Sequence, residues 1–296
     1  MVLEYIFPVN WLEQRTRYAF IMGVVYTIVG VSISSLLFRR NPALVSVAFI
    51  SLLMLPELYK IFDIEQQQVI DSPRFSLKTL FTNHWDVTKI YIFLFLGVLL
   101  TYSVATIVLP NYETNTLFRD QLDIRGYASS QDRHAIGNAI LFTPALFKEL
   151  LQNNFNVLIA CFLIAFLTGN GGIFIIVWNA SVWGTIFGIT AKNAAIATGV
   201  NPFSLFFTVM GIVSLHMMLE AMAYFLSAIS ASLLSKVFTN LRFNVFRLHQ
   251  FRKALAFTGI ILLISLVFLV AGALVETLVL DNAETYTNII RLSLSV

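Results

Sequence analysis

The chain has 296 residues, of which 58% are hydrophobic and only 12% charged, and its mean hydropathy is +0.80. Ordinary soluble domains carry roughly a quarter charged residues, so the composition excludes a water-soluble globular enzyme and predicts an integral membrane protein. The formal net charge of +3 arises from 19 basic and 16 acidic residues, a surplus that inner-face positive bias accounts for without any footprint for nucleic acid.

Residues 1–17 form an amphiphilic lead-in whose Tyr5, Phe7 and Trp11 suit the membrane interface. The first apolar run, 18–38, starts only after Glu13, Arg15 and Arg17 and ends at Arg39 and Arg40 without a small-residue cleavage pattern. It is longer than the core of a signal peptide and is expected to stay as a transmembrane helix. Asn41-Pro42 supplies a turn, and 43–62 is a second span antiparallel to the first. Pro56 and Glu57 fall near its end and read as an interfacial helix terminus, with a functional carboxylate as the alternative. Residues 63–89 are polar and predict a loop with one short surface helix.

Residues 90–109 give the third span, closed by Pro110-Asn111. The stretch 112–144 mixes Arg119, Asp120, Asp123, Arg125, Asp132 and Arg133 with scattered apolar residues, which predicts a solvated, partly helical segment without internal repeats. Residues 146–153 are amphipathic and suited to lie in the interface. The apolar run 155–168 is then only about fourteen residues, short of a crossing. Gly169-Asn170-Gly171-Gly172 interrupts it before 173–189 resumes. Glycines permit a sharp reversal, which favours a short hairpin of two helices; one broken helix with a re-entrant break is the alternative.

Asn201-Pro202 opens a helix reaching about residue 235, longer than a perpendicular crossing requires. Lys236, Arg242, Arg247, Arg252 and Lys253 make the strongest basic loop, and 254–280 is the last span, followed by a short polar tail. The expected fold is all-α, a polytopic integral membrane helical bundle of about seven transmembrane helices. It divides into an N-terminal three-helix region (1–110), an extramembrane segment (111–144) and a C-terminal transmembrane region (145–296). Placing the basic loop in the cytoplasm puts the N-terminus inside and the C-terminus outside the cell membrane. The lone Cys161 excludes an intrachain disulfide and a thiolate zinc site.

His216 and Glu220, one helical turn apart, share a helix face inside an apolar segment. Ionisable groups at membrane depth are costly and normally face protein or a wet cavity. Three readings stay open: a packing polar pair, the lining of a polar cavity or proton path, and a metal or catalytic centre, for which a third ligand would be needed in the case of a metal. Glu276 on the last span lies at a depth similar to that of His216 when helical rise is counted from the basic loop, so it joins the candidate cluster, with an outer-interface position as the alternative. Asn179 is the fourth candidate, either as a hydrogen bond between helices or as a ligand contact. Asn153-Asn154 reads as a helix cap or interfacial feature. The small residues at 227, 228 and 230–232 suit close helix approach. No catalytic residue and no cofactor is assigned, since nucleotide, zinc-protease and hydrolase motifs are absent from the sequence.

From 147 to 280 the chain resembles the stage II sporulation protein M family, in the form with extra N-terminal helices found in archaeal genomes. The residues that carry the resemblance are Asn153-Asn154, the break at 168–172, Trp178-Asn179-Ala180 with Gly184 and Gly188, the run from His216 to Glu220 with Ala223-Tyr224-Phe225, and Ala273-Leu274-Val275-Glu276. Met217 stands where the family usually has glycine, which bears on any role needing close backbone approach beside His216. The resemblance implies an all-helical polytopic protein and, in spore-forming bacteria, a scaffold for peptidoglycan-degrading enzymes. The leading expectation is a non-enzymatic membrane scaffold or assembly factor. Its expected partners are the lipid bilayer, membrane or cell-envelope proteins and a second copy of itself, met through the small-residue face of the long helix. The alternative is a carrier or channel for a small polar or lipidic substrate, using His216, Glu220, Glu276 and Asn179.

Overall fold

In the computed structural model, residues 16–71, 77–124, 144–242 and 248–295 are described. They are helical, with no strand among the described residues. The helices are α1 (Arg17–Leu37), α2 (Pro42–Asp71), α3 (Leu77–Val108), α4 (Asn111–Leu117), α5 (Pro144–Thr168), α6 (Gly172–Thr198), α7 (Pro202–Arg242), α8 (Leu248–Asn282) and α9 (Glu284–Leu294). All but α4 and α9 contain a stretch long and apolar enough to cross a membrane, seven in all. The chain is therefore a multi-pass integral membrane protein with an all-α bundle.

Helices α3 and α6 are the most buried of the seven spans and form the centre. They meet through small residues. A Cβ added at Gly184 would stand 2.4 Å from the Leu99 carbonyl oxygen, and one at Gly188 2.8 Å from that of Ser103. Two glycines one turn apart thus let the backbones approach as larger residues would forbid, the means by which membrane helices gain packing without a hydrophobic driving force. Aromatic rings then tie in α7: Phe225 stacks on Tyr91 at 5.5 Å and meets Phe95 edge-on at 5.7 Å, while Phe95 also meets Trp183 at 5.6 Å. One buried apolar cluster runs from Ala19 on α1 to Ile289 on α9. The outer faces keep exposed apolar side chains, among them Ile28 on α1, Leu163 on α5 and Val267 on α8, as lipid contact requires.

The hairpin at the glycine break is present, but neither arm is short. The amphipathic residues 146–153 continue into the apolar run, so α5 offers a membrane-length stretch Leu146–Thr168, and α6 runs on to Thr198. Gly169 takes φ 84° at the reversal, and the Thr168 hydroxyl accepts from the Gly171 amide at 2.9 Å.

Other expectations are corrected. Most of 63–89 is helix, not loop, because α2 continues through Pro56 to Asp71 and α3 begins at Leu77. Glu57 is no interfacial terminus; it is only 1% exposed, inside α2. The segment after α3 is not wholly solvated. Phe118 is fully buried against Tyr102, whose hydroxyl pairs with that of Ser46 at 2.8 Å, and buried Gln121 donates to the Ser181 hydroxyl at 3.3 Å. The polar tail is the amphipathic helix α9, whose buried Ile289 and Ser293 face the bundle. At the same rim Lys192 on α6 donates to the Leu109 carbonyl at the end of α3.

The small-residue face of α7 is consumed inside one chain. Ser227 donates to the Leu158 carbonyl on α5 at 3.1 Å, and Thr258 on α8 donates to the Ser230 carbonyl at 3.2 Å. Ala228 lies against Gly172. That face is buried within the single chain. The lead-in 1–15, with Tyr5, Phe7 and Trp11, and the centre of the basic loop at 243–247 lie outside the described residues.

Candidate functional site

Three helices converge on Glu220. The residue is 3% exposed on α7, and its side chain is hydrogen-bonded by the Asn154 amide from α5 and meets the Glu276 carboxyl from α8. Asn154 in turn accepts a bond from the Asn153 amide at 3.4 Å, which orients its own NH2 donors toward Glu220. Two ionised carboxylates have only acceptors, so a hydrogen bond between these two carboxyl groups requires a proton on one of them. The Glu220 atom Oε1 is buried with no hydrogen-bond partner among the described residues. Tyr224, one turn along α7 and fully buried, lies within electrostatic range of both carboxyl groups.

The approach of α8 to α7 depends on Gly272. A Cβ there would sit 2.8 Å from Glu220 Cγ, 3.4 Å from Glu220 N and 3.5 Å from the His216 carbonyl oxygen. The backbone of α8 thus lies directly over the turn from His216 to Glu220, and Glu276, one turn further, reaches across. Close backbone approach beside His216 is present after all, supplied from α8 and not from position 217.

His216 is 8% exposed and also faces protein, with Nδ1 buried and unpartnered among the described residues. It contributes its ring to the same face, but it is not the hydrogen-bond partner of Glu220. Asn179 is separate: its amide donates to the Ile175 carbonyl of its own helix at 2.8 Å. Among the described residues no three His, Cys, Asp or Glu side chains gather as a metal set would.

Of the four sequence candidates, the fold brings together Glu220 and Glu276, sets His216 beside them and leaves Asn179 on α6. It adds Asn154, Tyr224 and Gly272. The signal for Asn154 lay in counting: it is fourteen residues before Thr168, about 21 Å along a helix, which is membrane depth once α5 is continuous. Gly272 gave no sequence signal apart from being small.

The cluster defines the class as a polytopic helical membrane protein with an acid pair within its transmembrane bundle. No family model, curated protein or solved structure matches the chain.

Proposed function

We propose that the protein is a carrier or channel in which Glu220 and Glu276, with Asn154 and His216, handle a proton or a small cation within the membrane. The observation behind this reading is the carboxyl pair itself. An acid pair at membrane depth is expensive and is ordinarily found on ion or proton pathways, and a packing role would be served as well by an amide. The unpartnered Glu220 Oε1 and His216 Nδ1 give the cluster spare capacity for a proton or a cation. Asn154, His216, Glu220 and Glu276 are also among the residues that carry the resemblance to the stage II sporulation protein M family. The scaffold reading rests on the resemblance alone, since the face expected to mediate self-association is buried within one chain. The basic residues Lys236, Arg242, Arg252 and Lys253, where α7 ends and α8 begins, support a cytoplasmic placement of that end of the bundle.

The test is reconstitution into liposomes holding a pH-sensitive dye, with proton entry followed under an imposed potential and with sodium or potassium as alternative drivers. Wild-type protein is expected to dissipate the gradient, and Glu220→Gln to reduce the rate at least tenfold with the fold intact. Flux no greater than in protein-free liposomes under every driver would refute the carrier reading and leave the scaffold.

A further inference from the structure

A metal cation and a proton ask opposite things of a site. A hard cation is held by a shell of oxygen acceptors, carboxylates and carbonyls above all, whereas a proton needs one lone pair and tolerates donors beside it. At Glu220 the partner supplied by α5 is a donor. Asn154 turns its NH2 toward the Glu220 carboxyl, and its orientation is set from the other end, where its Oδ1 accepts from the Asn153 amide at 3.4 Å. An N–H aimed at the carboxyl puts positive charge where a metal ion would have to sit. The same N–H steadies the carboxylate that remains once a proton has left.

Space points the same way. The backbone of α8 closes over Glu220 at Gly272, where an added methyl group would come to 2.8 Å from Glu220 Cγ, so no gap for a ligating water lies between α8 and the Glu220 stem. Nor does His216 complete a ligand set: among the described residues, the imidazole and the two carboxyl groups do not gather as three ligands of one ion. What the cluster keeps open is a single buried acceptor, Glu220 Oε1, which has no hydrogen-bond partner among the described residues. One lone pair suffices for a proton and falls short of the several oxygens a metal ion requires.

Granted the carrier reading above, on which this rests, we infer that the site takes a proton and not a metal cation, and that Asn154 is the specificity-determining residue. Loading adds one proton from hydronium to Glu220 Oε1 of the singly protonated pair and leaves both carboxyl groups neutral. Release returns that proton to water and leaves one negative charge on the pair, steadied by the Asn154 N–H. No other bond is made or broken.

Infrared spectroscopy of the full-length protein in detergent reads the pair without any transport, because a protonated carboxyl group has a carbonyl stretch that a carboxylate lacks. At neutral pH, wild-type protein is expected to show such a band, lost in Glu220→Gln and in Glu276→Gln, and unchanged when sodium or potassium chloride replaces choline chloride. Asn154→Asp turns the donor into an acceptor, and sodium should then remove at least half of the band; Asn179→Asp, outside the cluster, should stay insensitive. Loss of the wild-type band on adding sodium, or the absence of a band that depends on Glu220 and Glu276, would overturn the proton assignment. A sodium-insensitive Asn154→Asp would overturn the role of Asn154. Should that variant fail to fold, Asn154→Ser takes its place with the same expected sensitivity, since it removes the amide and leaves an oxygen able to accept. Liposomes separate this failure from that of the carrier reading. Flux absent under every driver refutes carriage, whereas sodium uptake by wild-type protein beyond that of protein-free liposomes refutes the proton and leaves carriage standing.

Discussion

Replacing Gly272 by alanine adds one methyl group at the point where α8 crosses the His216 to Glu220 turn. The new carbon would stand 2.8 Å from Glu220 Cγ, whereas carbon atoms rest at about 3.5–4.0 Å. Something must therefore move by about 0.7–1.2 Å, and the struck atom is mid-chain in a side chain held by Asn154 and Glu276, not a free end. Overpacking of this kind costs about 1–3 kcal/mol. Against it, alanine is the better helix former by about 1 kcal/mol, so the net loss should be about 0–2 kcal/mol. Gly259, on the same helix, is the control: a Cβ there meets nothing within 4 Å, so alanine should bring the propensity gain without the clash. The two variants are expected to differ by about 1–3 kcal/mol in mixed-micelle unfolding followed by helical circular dichroism. Gly272→Ala should also lower any activity that needs the Glu220 and Glu276 pair. Equal stability of the two variants would refute the packing argument, since propensity alone treats the sites alike.

Glu220→Gln should be mild for the fold, since the amide keeps the shape and one acceptor, while Glu220→Ala should lose about 1–3 kcal/mol by stranding its buried partners; the same unfolding assay ranks them, and reversal of that order would contradict the contacts described. Phe118→Ala should cost about 3–5 kcal/mol, measured by the shift in unfolding midpoint, where a solvated loop residue would cost nothing measurable. Gln121→Leu should be near neutral in that assay, because the Ser181 hydroxyl retains its bond to the Trp178 carbonyl at 2.7 Å. In a Cys161→Ser background, Leu167→Cys and Val200→Cys should label from opposite sides of the membrane; labelling from one side would contradict α6 as a crossing.

Much of the fold was legible because lipid makes a strict reader of sequence: seven apolar runs survive as seven crossings. The misreadings of the helices share one cause, the assumption that a polar or mixed stretch is a loop. The residues at 63–71 are helical because nothing stops α2, and Pro56 sits inside it. Phe118 and Gln121 are buried because the segment after α3 turns back against Tyr102 of α3 and Ser181 of α6, a tertiary fact invisible to local pattern. At the site, the spacing of His216 and Glu220 fixed a shared face, and counting helical rise carried Glu276 to the right depth. Sequence could not separate a hydrogen bond from proximity, and so it left the His216 and Glu220 pair open between packing, a polar path and a metal centre, whereas the side chains the fold brings to Glu220 are Asn154 and Glu276. Asn179 was overrated because an amide at depth is as well served by its own helix carbonyl as by a neighbour.

Lys192 bonds the Leu109 carbonyl from 83 residues downstream. A chain that enters the bilayer as it is made lays down α3 long before the residue that will cap its end exists. At a synthesis rate of about 5–20 residues per second the interval is about 4–17 s, during which the rim of the first three helices stands open. The capping of α3 is thus set by the ribosome's clock, and the rim is covered later still, once α9 has followed and brought Ile289 and Ser293 against the bundle.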